Sequence, residues 1–245
     1  MATIPLDRRL IVALDVPDFD QAASLSGALG GTTRMFKVGS QLFTACGPLI
    51  VEHLKRAGLS VFLDLKYHDI PNTVAKAVAQ AAALGADIIN VHAMGGFSMM
   101  EAAADAAIGA AQQRGLPAPT LLAVTVLTSM DEATFRDALG TPGRTLAEQV
   151  LHLARLAKSA GMAGVVASPH EIALLRAELG PEFVILTPGI RPAGGDAGDQ
   201  KRFLTPAQAV RLGADYLVVG RPITAATDPA AAAAAIKKEI ADALR

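Results

Sequence analysis

Eight short apolar runs recur along the chain, each separated from the next by enough residues for at least one helix: 10–14, 35–38, 61–63, 88–91, 121–124, 164–167, 183–186 and 216–219. They lack the polar alternation of a strand with one wet face, so each is read as a strand buried on both sides. Four of them follow the same kind of junction: Ala57-Gly58-Leu59-Ser60, Leu84-Gly85-Ala86-Asp87, Ala160-Gly161-Met162-Ala163 and Leu212-Gly213-Ala214-Asp215. A glycine at a helix end takes the left-handed conformation that closes the helix. A repeated helix-to-strand device implies a repeated βα unit, and eight units in 245 residues match an α/β fold of the closed (β/α)8 TIM-barrel kind. An open doubly wound sheet is the structural alternative. The first run, however, leads into Asp15-Val16-Pro17 and no Gly-x-Gly-x-x-Gly, so the dinucleotide fingerprint is missing.

No linker, charge block or low-complexity tail divides the chain, so one barrel domain over residues 1–245 is expected. The Ala-rich stretch 225–235 contains Asp228-Pro229, an N-cap followed by proline at the first helical position, and reads as a terminal helix. A net charge of −1 without a basic run argues against nucleic acid or acidic membranes as partners. Pro5, Asp7, Arg8 and Arg9 interrupt any secretory apolar region, and no apolar run approaches the roughly 18 residues of a membrane span. The single cysteine, Cys46, excludes an internal disulfide and a thiolate metal cluster and reads as packing filler. A soluble, cytoplasmic protein is the expectation.

In such a barrel the active site lies at the C-terminal ends of the strands. Those ends carry Asp15, Lys37, Asp64 with Lys66, Asn90 with His92, Thr125 and Thr128, Ser168, Thr187-Pro188-Gly189-Ile190-Arg191, and Gly220-Arg221. Ionisable residues crowd strands 1 to 3. Strand periodicity puts Asp64 and Lys66 on one face with Cβ atoms roughly 7 Å apart. His68, by alternation, faces away from Lys66 and Asp69. Asp69 falls in a turn closed by Pro71, and Asn72 or Thr73 is expected to cap a helix whose apolar stripe runs through Val74, Ala77, Val78 and Ala81.

Asp15, Lys37, Asp64, Lys66 and Asp69 alternate in sign. A lysine fenced by carboxylates keeps its proton, because opposite charge offsets desolvation, and such a network delivers both a proton and a fixed positive charge. The alternative is a purely structural web of ion pairs. Three carboxylates suit a divalent cation, but two lysines among them fill the space and supply the charge, so no metal is expected. His92 is left open between a base, a ligand and a hydrogen-bonded spacer.

At strands 7 and 8, Pro188-Gly189-Ile190-Arg191 and Val219-Gly220-Arg221-Pro222 occupy the places where barrels commonly bind phosphate. Glycine lets the backbone approach the anion, and arginine offers it a two-pronged donor. Between these loops the polar, glycine-rich stretch 192–200 has the composition of a lid.

Asp64-x-Lys66-x-x-Asp69-Ile70-Pro71-x-Thr73, with Ala13-Leu14-Asp15, Lys37-Val38-Gly39, Thr187-Pro188-Gly189-Ile190-Arg191 and Val219-Gly220-Arg221, resembles the orotidine 5'-phosphate decarboxylase family from strand 1 to strand 8. The resemblance implies loss of CO2 from orotidine 5'-monophosphate to give uridine 5'-monophosphate, the last step of pyrimidine nucleotide synthesis, without cofactor or metal. It implies Lys66 as proton donor to C6, with Asp64, Lys37 and Asp69 completing a catalytic tetrad. It also implies substrate contacts along Asp64, Leu65, Lys66, Tyr67, His68, Asp69, Ile70, Pro71, Asn72 and Thr73. Asp15 and Lys37 would hold the ribose, Thr128 the pyrimidine edge, and Arg191, Gly220 and Arg221 the phosphate, while Gln200 would bridge base and phosphate from the lid. The family resemblance further implies a homodimer in which Asp69 and Thr73 enter the partner's site. Related sugar-phosphate decarboxylases and aldolases share the Asp-x-Lys-x-x-Asp strand but use magnesium and carry an acidic ligand where this chain has Lys37. A non-catalytic nucleotide-binding barrel would keep the phosphate residues and tolerate loss of Lys66.

Overall fold

The computed structural model describes residues 4–139, 143–192 and 204–245. All eight apolar runs are strands: β1 (Leu10–Ala13), β2 (Met35–Gly39), β3 (Ser60–Tyr67), β4 (Ile88–His92), β5 (Thr120–Val124), β6 (Gly164–Val166), β7 (Val184–Thr187) and β8 (Tyr216–Val219). Each lies parallel to the next and β8 pairs with β1, closing a barrel in sequence order. Helices connect the strands and cover the outside, as expected of a (β/α)8 fold.

Two apolar layers follow from the two-residue period. Outward residues such as Val12, Phe36, Val61, Leu63, Ile89 and Val91 pack with the helices in one large core. Inward residues, among them Ile11, Met35, Phe62, Ile88, Leu122, Leu186 and Tyr216, fill the barrel itself. Two positions further along three of the same columns the chemistry changes: Met35 gives way to Lys37, Phe62 to Asp64 and Ile88 to Asn90. Alternation thus carries a dry barrel interior directly into a polar mouth.

The glycine junctions close helices as expected. Gly58, Gly85, Gly161 and Gly213 all have positive φ, from 72° to 106°. In each case the glycine N–H returns to the carbonyl three residues back and the next N–H to the one five back, as in Gly58 to Lys55 and Leu59 to Leu54. That is the Schellman pattern, and the residue after each glycine, Leu59, Ala86, Met162 or Ala214, is buried in the outer core. Gly115, with φ 63°, repeats the device before β5.

At two junctions the aspartate that follows latches the floor of the barrel. Asp87 Oδ2 accepts from the Val61 N–H at 2.8 Å and from Lys55 Nζ at 2.6 Å. Asp215 Oδ2 accepts from the Ile185 N–H at 2.8 Å and from Arg176 Nη2 at 2.6 Å. In both, a carboxylate just before one strand grips the start of the preceding strand and a cation on the helix that leads into that preceding strand.

The expected cap at Asn72 or Thr73 is not formed. The helix begins at Pro71 with Ile70 in the N-cap position and no side-chain cap. Proline has no N–H to satisfy and its φ suits a first helical turn, so the start moves upstream and Asn72 and Thr73 become first-turn residues. Val74, Val78 and Ala81 are buried as expected, and Ala82 joins them. The Ala-rich terminal helix, Pro229–Ala243, has Asp228 capping the Ala231 N–H at 2.9 Å. Cys46 is half-buried against the outer core. Among the described residues no helix is long and apolar enough to cross a membrane.

Candidate active site

A cavity of about 390 Å³ opens at the C-terminal ends of the strands. Its floor is the last inward apolar layer, with Ala13, Phe62, Val166, Leu186 and Val218, and its rim carries Asp15, Lys37, Asp64, Lys66, Thr128, Arg191, Gly220 and Arg221. That volume lies within the range of small-ligand sites.

On one side four charges form a chain. Lys37 Nζ lies 2.8 Å from Asp15 Oδ1 and 3.5 Å from Asp64 Oδ2, while Lys66 Nζ lies 2.6 Å from Asp64 Oδ1. Asp64 therefore holds one ammonium on each oxygen. The Lys37 and Asp64 side chains are only 11% and 12% exposed, so water screens their interactions weakly, whereas Asp15 is 58% exposed and its pairing counts for less. Lys37 reaches both carboxylates by lying over Gly39, where an added Cβ would sit 2.9 Å from Nζ.

Lys66 is not an ordinary strand residue. Its φ is +50°, the one positive value at a non-glycine among the described residues. The ladder between β3 and β4 also slips there, pairing Leu63 with Ile89 but Tyr67 with Val91. Three residues, Asp64 to Lys66, thus face the single residue Asn90. Asn90, with no solvent exposure, donates from Nδ2 to Asp64 Oδ1 at 2.7 Å and accepts the Lys66 N–H on Oδ1 at 2.8 Å. The strand-end pattern brought Asn90 into view but gave it no role. Its place two residues beyond inward Ile88 is the signal that would have found it.

Strands β3 and β7 stand four apart in a ring of eight, so the loop after β7 faces the Lys66 cluster across the mouth. There Gly189 adopts φ +78°, Arg191 is buried, and its backbone N–H donates to Leu204 O at 3.1 Å. Next to it, Gly220 precedes a short helical turn beginning at Arg221.

Other expected positions lie apart from this cavity in the single chain. Leu65 and Tyr67 are half-buried and pack outward against the core. Asp69 is exposed, with Oδ1 accepting its neighbour Ile70's N–H at 2.6 Å, and Ile70, Pro71, Asn72 and Thr73 are exposed beside it. His68 is also exposed, and its ring stacks on His92 at 5.2 Å between centroids. His92 Nδ1 accepts the Met94 N–H at 3.3 Å, capping the turn Ala93–Gly95, which leaves the ring proton on Nε2. Burial first, then the nearby His68 and Lys66, push the His92 imidazole below its ordinary value. Gln200 and most of the expected lid lie outside the described residues. Ser168 and Thr125 are engaged with backbone, at His170 N and Val166 O respectively. Among the described residues no three His, Cys, Asp or Glu side chains converge as a metal cage.

Fold and strand-end chemistry together define a (β/α)8 barrel with a chain of side-chain charges lining the cavity at its open end. Residues 8–236 match the orotidine 5'-phosphate decarboxylase / HUMPS family. The chain is 55% identical to orotidine 5'-phosphate decarboxylase of Moorella thermoacetica over 232 residues, covering 95% of this chain and 92% of that protein. It is 53% identical to the enzyme of the same name from Halorhodospira halophila, over 98% of both chains. A crystal structure of orotidine 5'-phosphate decarboxylase from Lactobacillus acidophilus superposes with a TM-score of 0.83 at 41% identity, covering 95% of this chain and 99% of the other. The chain belongs to the orotidine 5'-phosphate decarboxylase / HUMPS family.

Proposed function

We propose that Lys66 is the proton donor in the decarboxylation of orotidine 5'-monophosphate to uridine 5'-monophosphate and CO2, the step of pyrimidine nucleotide synthesis that this enzyme performs. The observation that carries the assignment is the Asp15–Lys37–Asp64–Lys66 chain, with Lys66 Nζ 2.6 Å from Asp64 at the cavity rim. As the bond from C6 to the carboxylate carbon breaks, its electron pair stays in the plane of the pyrimidine ring, where no conjugated group accepts it. Fixed positive charge close to C6 is then the means of lowering the barrier. The Lys66 ammonium supplies that charge and passes one proton to C6, and solvent restores the proton after release. Asp64, facing the substrate carboxylate, adds repulsion that is relieved as CO2 leaves.

The same reading gives Asp15 and Lys37 the ribose hydroxyls, Thr128 the pyrimidine edge and Gln200 a bridge between base and phosphate. Arg191, Gly220 and Arg221 hold the phosphate across the mouth. Binding energy from that distant anion is spent on closing the site, so the nucleoside without phosphate is expected to react poorly. Leu65, Tyr67 and His68 serve as the frame that aims Lys66.

We assign Asp69 and Thr73 to the site of a partner subunit in a homodimer. Support comes from exposed apolar side chains gathered on the same side: Ile70, Met94, Phe97 and Leu127 follow β3, β4 and β5 and are 36% to 66% exposed. Such a patch beside an exposed turn suits a second copy of the chain. A cytoplasmic location fits a nucleotide-synthesising enzyme with one cysteine.

The decisive assay mixes the purified protein with orotidine 5'-monophosphate in a chelator and follows the pyrimidine absorbance. Lys66→Ala is expected to abolish turnover while still binding uridine 5'-monophosphate, and an active variant removes Lys66 as donor. Mixing Lys66→Ala with Asp69→Ala subunits is expected to restore activity through hybrid dimers that keep one intact site. No recovery would refute a cross-subunit Asp69.

A further inference from the structure

We infer that Asn90 is a positioning residue for the decarboxylation, holding both the Lys66 backbone and the Asp64 carboxylate so that the Lys66 ammonium stays aimed into the cavity. The inference rests on the reading of Lys66 as proton donor and adds to it the device that holds that donor in place.

Three observations converge on this amide. It is fully buried, so its hydrogen bonds compete with no solvent. It sits where β3 gives up its ladder to β4, opposite the three residues Asp64 to Lys66, and its side chain takes over a bond that the ladder no longer makes. The N–H it captures belongs to Lys66, whose φ of +50° a side-chain-bearing residue holds only when its surroundings impose it. With the backbone turned that way, Lys66 Nζ returns to Asp64 Oδ1, the same oxygen that Asn90 Nδ2 grips at 2.7 Å.

The chemistry selects an amide. The Lys66 N–H only donates and an ionised Asp64 only accepts, so the bridging group must accept on one atom and donate from another. Serine and threonine are too short to span both partners. Aspartate has the right shape, but when ionised it accepts twice and sets a second carboxylate against Asp64. Protonated, it regains a donor and reproduces the amide's two bonds. That difference yields a test that fold stability alone would not mimic.

The experiment measures kcat, KM and uridine 5'-monophosphate binding for native enzyme, Asn90→Ala, Asn90→Asp and Lys66→Ala, with kcat normalised to the sites that bind the product. Asn90→Ala is expected to lose about a hundredfold in kcat per binding site with KM nearly unchanged, the scale of an ångström-sized misplacement of a reacting group. Asn90→Asp, which keeps the native shape and covers the case in which the alanine variant fails to fold, is expected to be similarly slow at about pH 8 and to recover about tenfold relative to native enzyme near pH 6 as the introduced carboxyl takes a proton. Loss of folded protein with native kcat per remaining site in Asn90→Ala overturns the inference, as does an Asn90→Asp profile parallel to that of native enzyme. Native turnover in Lys66→Ala would instead sink the proton-donor reading, so the two failures are told apart.

Discussion

Gly39→Ala separates the stability of this barrel from the placement of its charges. At φ −94° and ψ −179° Gly39 has a backbone that alanine adopts without strain, and it is the N-cap of the helix Ser40–Cys46. Replacing glycine there gains about 0.4 to 1 kcal/mol from a stiffer unfolded chain. Alanine is a poorer N-cap by a similar amount, so the two nearly cancel. The new Cβ would stand 2.9 Å from Lys37 Nζ and 3.4 Å from Asp15 Oδ1, against an ordinary contact of 3.4 Å or more. Lys37 is flexible and its ammonium can retreat by the missing half ångström or more, which keeps the fold intact but pulls the charge away from Asp15 at 2.8 Å or Asp64 at 3.5 Å. A hydrogen bond to a charged group contributes about 1.5 to 3 kcal/mol. Discounted for the exposure of Asp15, the loss comes to about 1 to 2 kcal/mol, or about five- to thirtyfold in kcat/KM. The assay pairs thermal unfolding with steady-state turnover of orotidine 5'-monophosphate, and the expected result is a Tm within a few degrees of native with kcat/KM down by that factor. A kcat/KM within twofold of native would refute the reasoning, because the position of the Lys37 ammonium would then not matter to the reaction.

Asp215→Ala should do the reverse. It strips a largely buried carboxylate from Arg176 and the Ile185 N–H at the closed end of the barrel, a loss of about 3 kcal/mol. For a chain of this size that means a Tm lower by about 6 to 12 °C, with kcat per folded molecule unchanged. A Tm within 2 °C of native in calorimetry would dismiss the latch, on the same scale. The His92 imidazole, held below its ordinary value mainly by burial, gives a pH signature in stability. The unfolded chain takes up that proton first as the pH falls. The contribution is therefore complete above about 6.5 and is lost as the pH drops through the lowered folded value. Urea midpoints measured at about pH 7.5 and about pH 5 should fall less for His92→Gln than for native enzyme, and equal falls would exclude His92 as a source.

Sequence reached the barrel because its cues are local and repeated. Apolar runs without alternation mark strands covered on both faces, and Gly58, Gly85, Gly161 and Gly213 announce the helix ends whatever the surrounding residues. It reached Asp15, Lys37, Asp64, Lys66, Thr128, Arg191, Gly220 and Arg221 as lining of one cavity because a barrel sends every strand end to the same place. What it missed depends on departures from regularity. Counting by twos put Asp64 and Lys66 on one face, yet their contact is made through the slipped ladder and the left-handed Lys66, and a lysine gives no local hint of positive φ. Asn90 stayed without a role because its partners are a backbone N–H and a carboxylate 24 and 26 residues away. The cap at Asn72 or Thr73 fails for a nearer reason: Pro71, with no N–H to satisfy and a φ suited to the first turn, starts the helix ahead of both residues.

The division of labour between the two ends of the barrel explains why those departures fall where they do. At the closed end, Asp87 and Asp215 each satisfy a strand N–H group and bind a cation, so the irregularity there is paired and adds stability. At the open end, β3 abandons its ladder to β4 for the three residues that hold Asp64 and Lys66. Left-handed backbone at a non-glycine costs about 1 to 3 kcal/mol, and a lost ladder bond adds to it. Nothing in the apolar core needs that deformation, since Phe62, Leu63 and Ile89 just below it pair regularly. A straight strand would alternate Asp64, Leu65 and Lys66 in and out and leave the ammonium to find its own direction among solvent-exposed rotamers. The bend commits the lysine to one direction before substrate arrives, and the regular pairing beneath it supplies the stability against which that commitment is held.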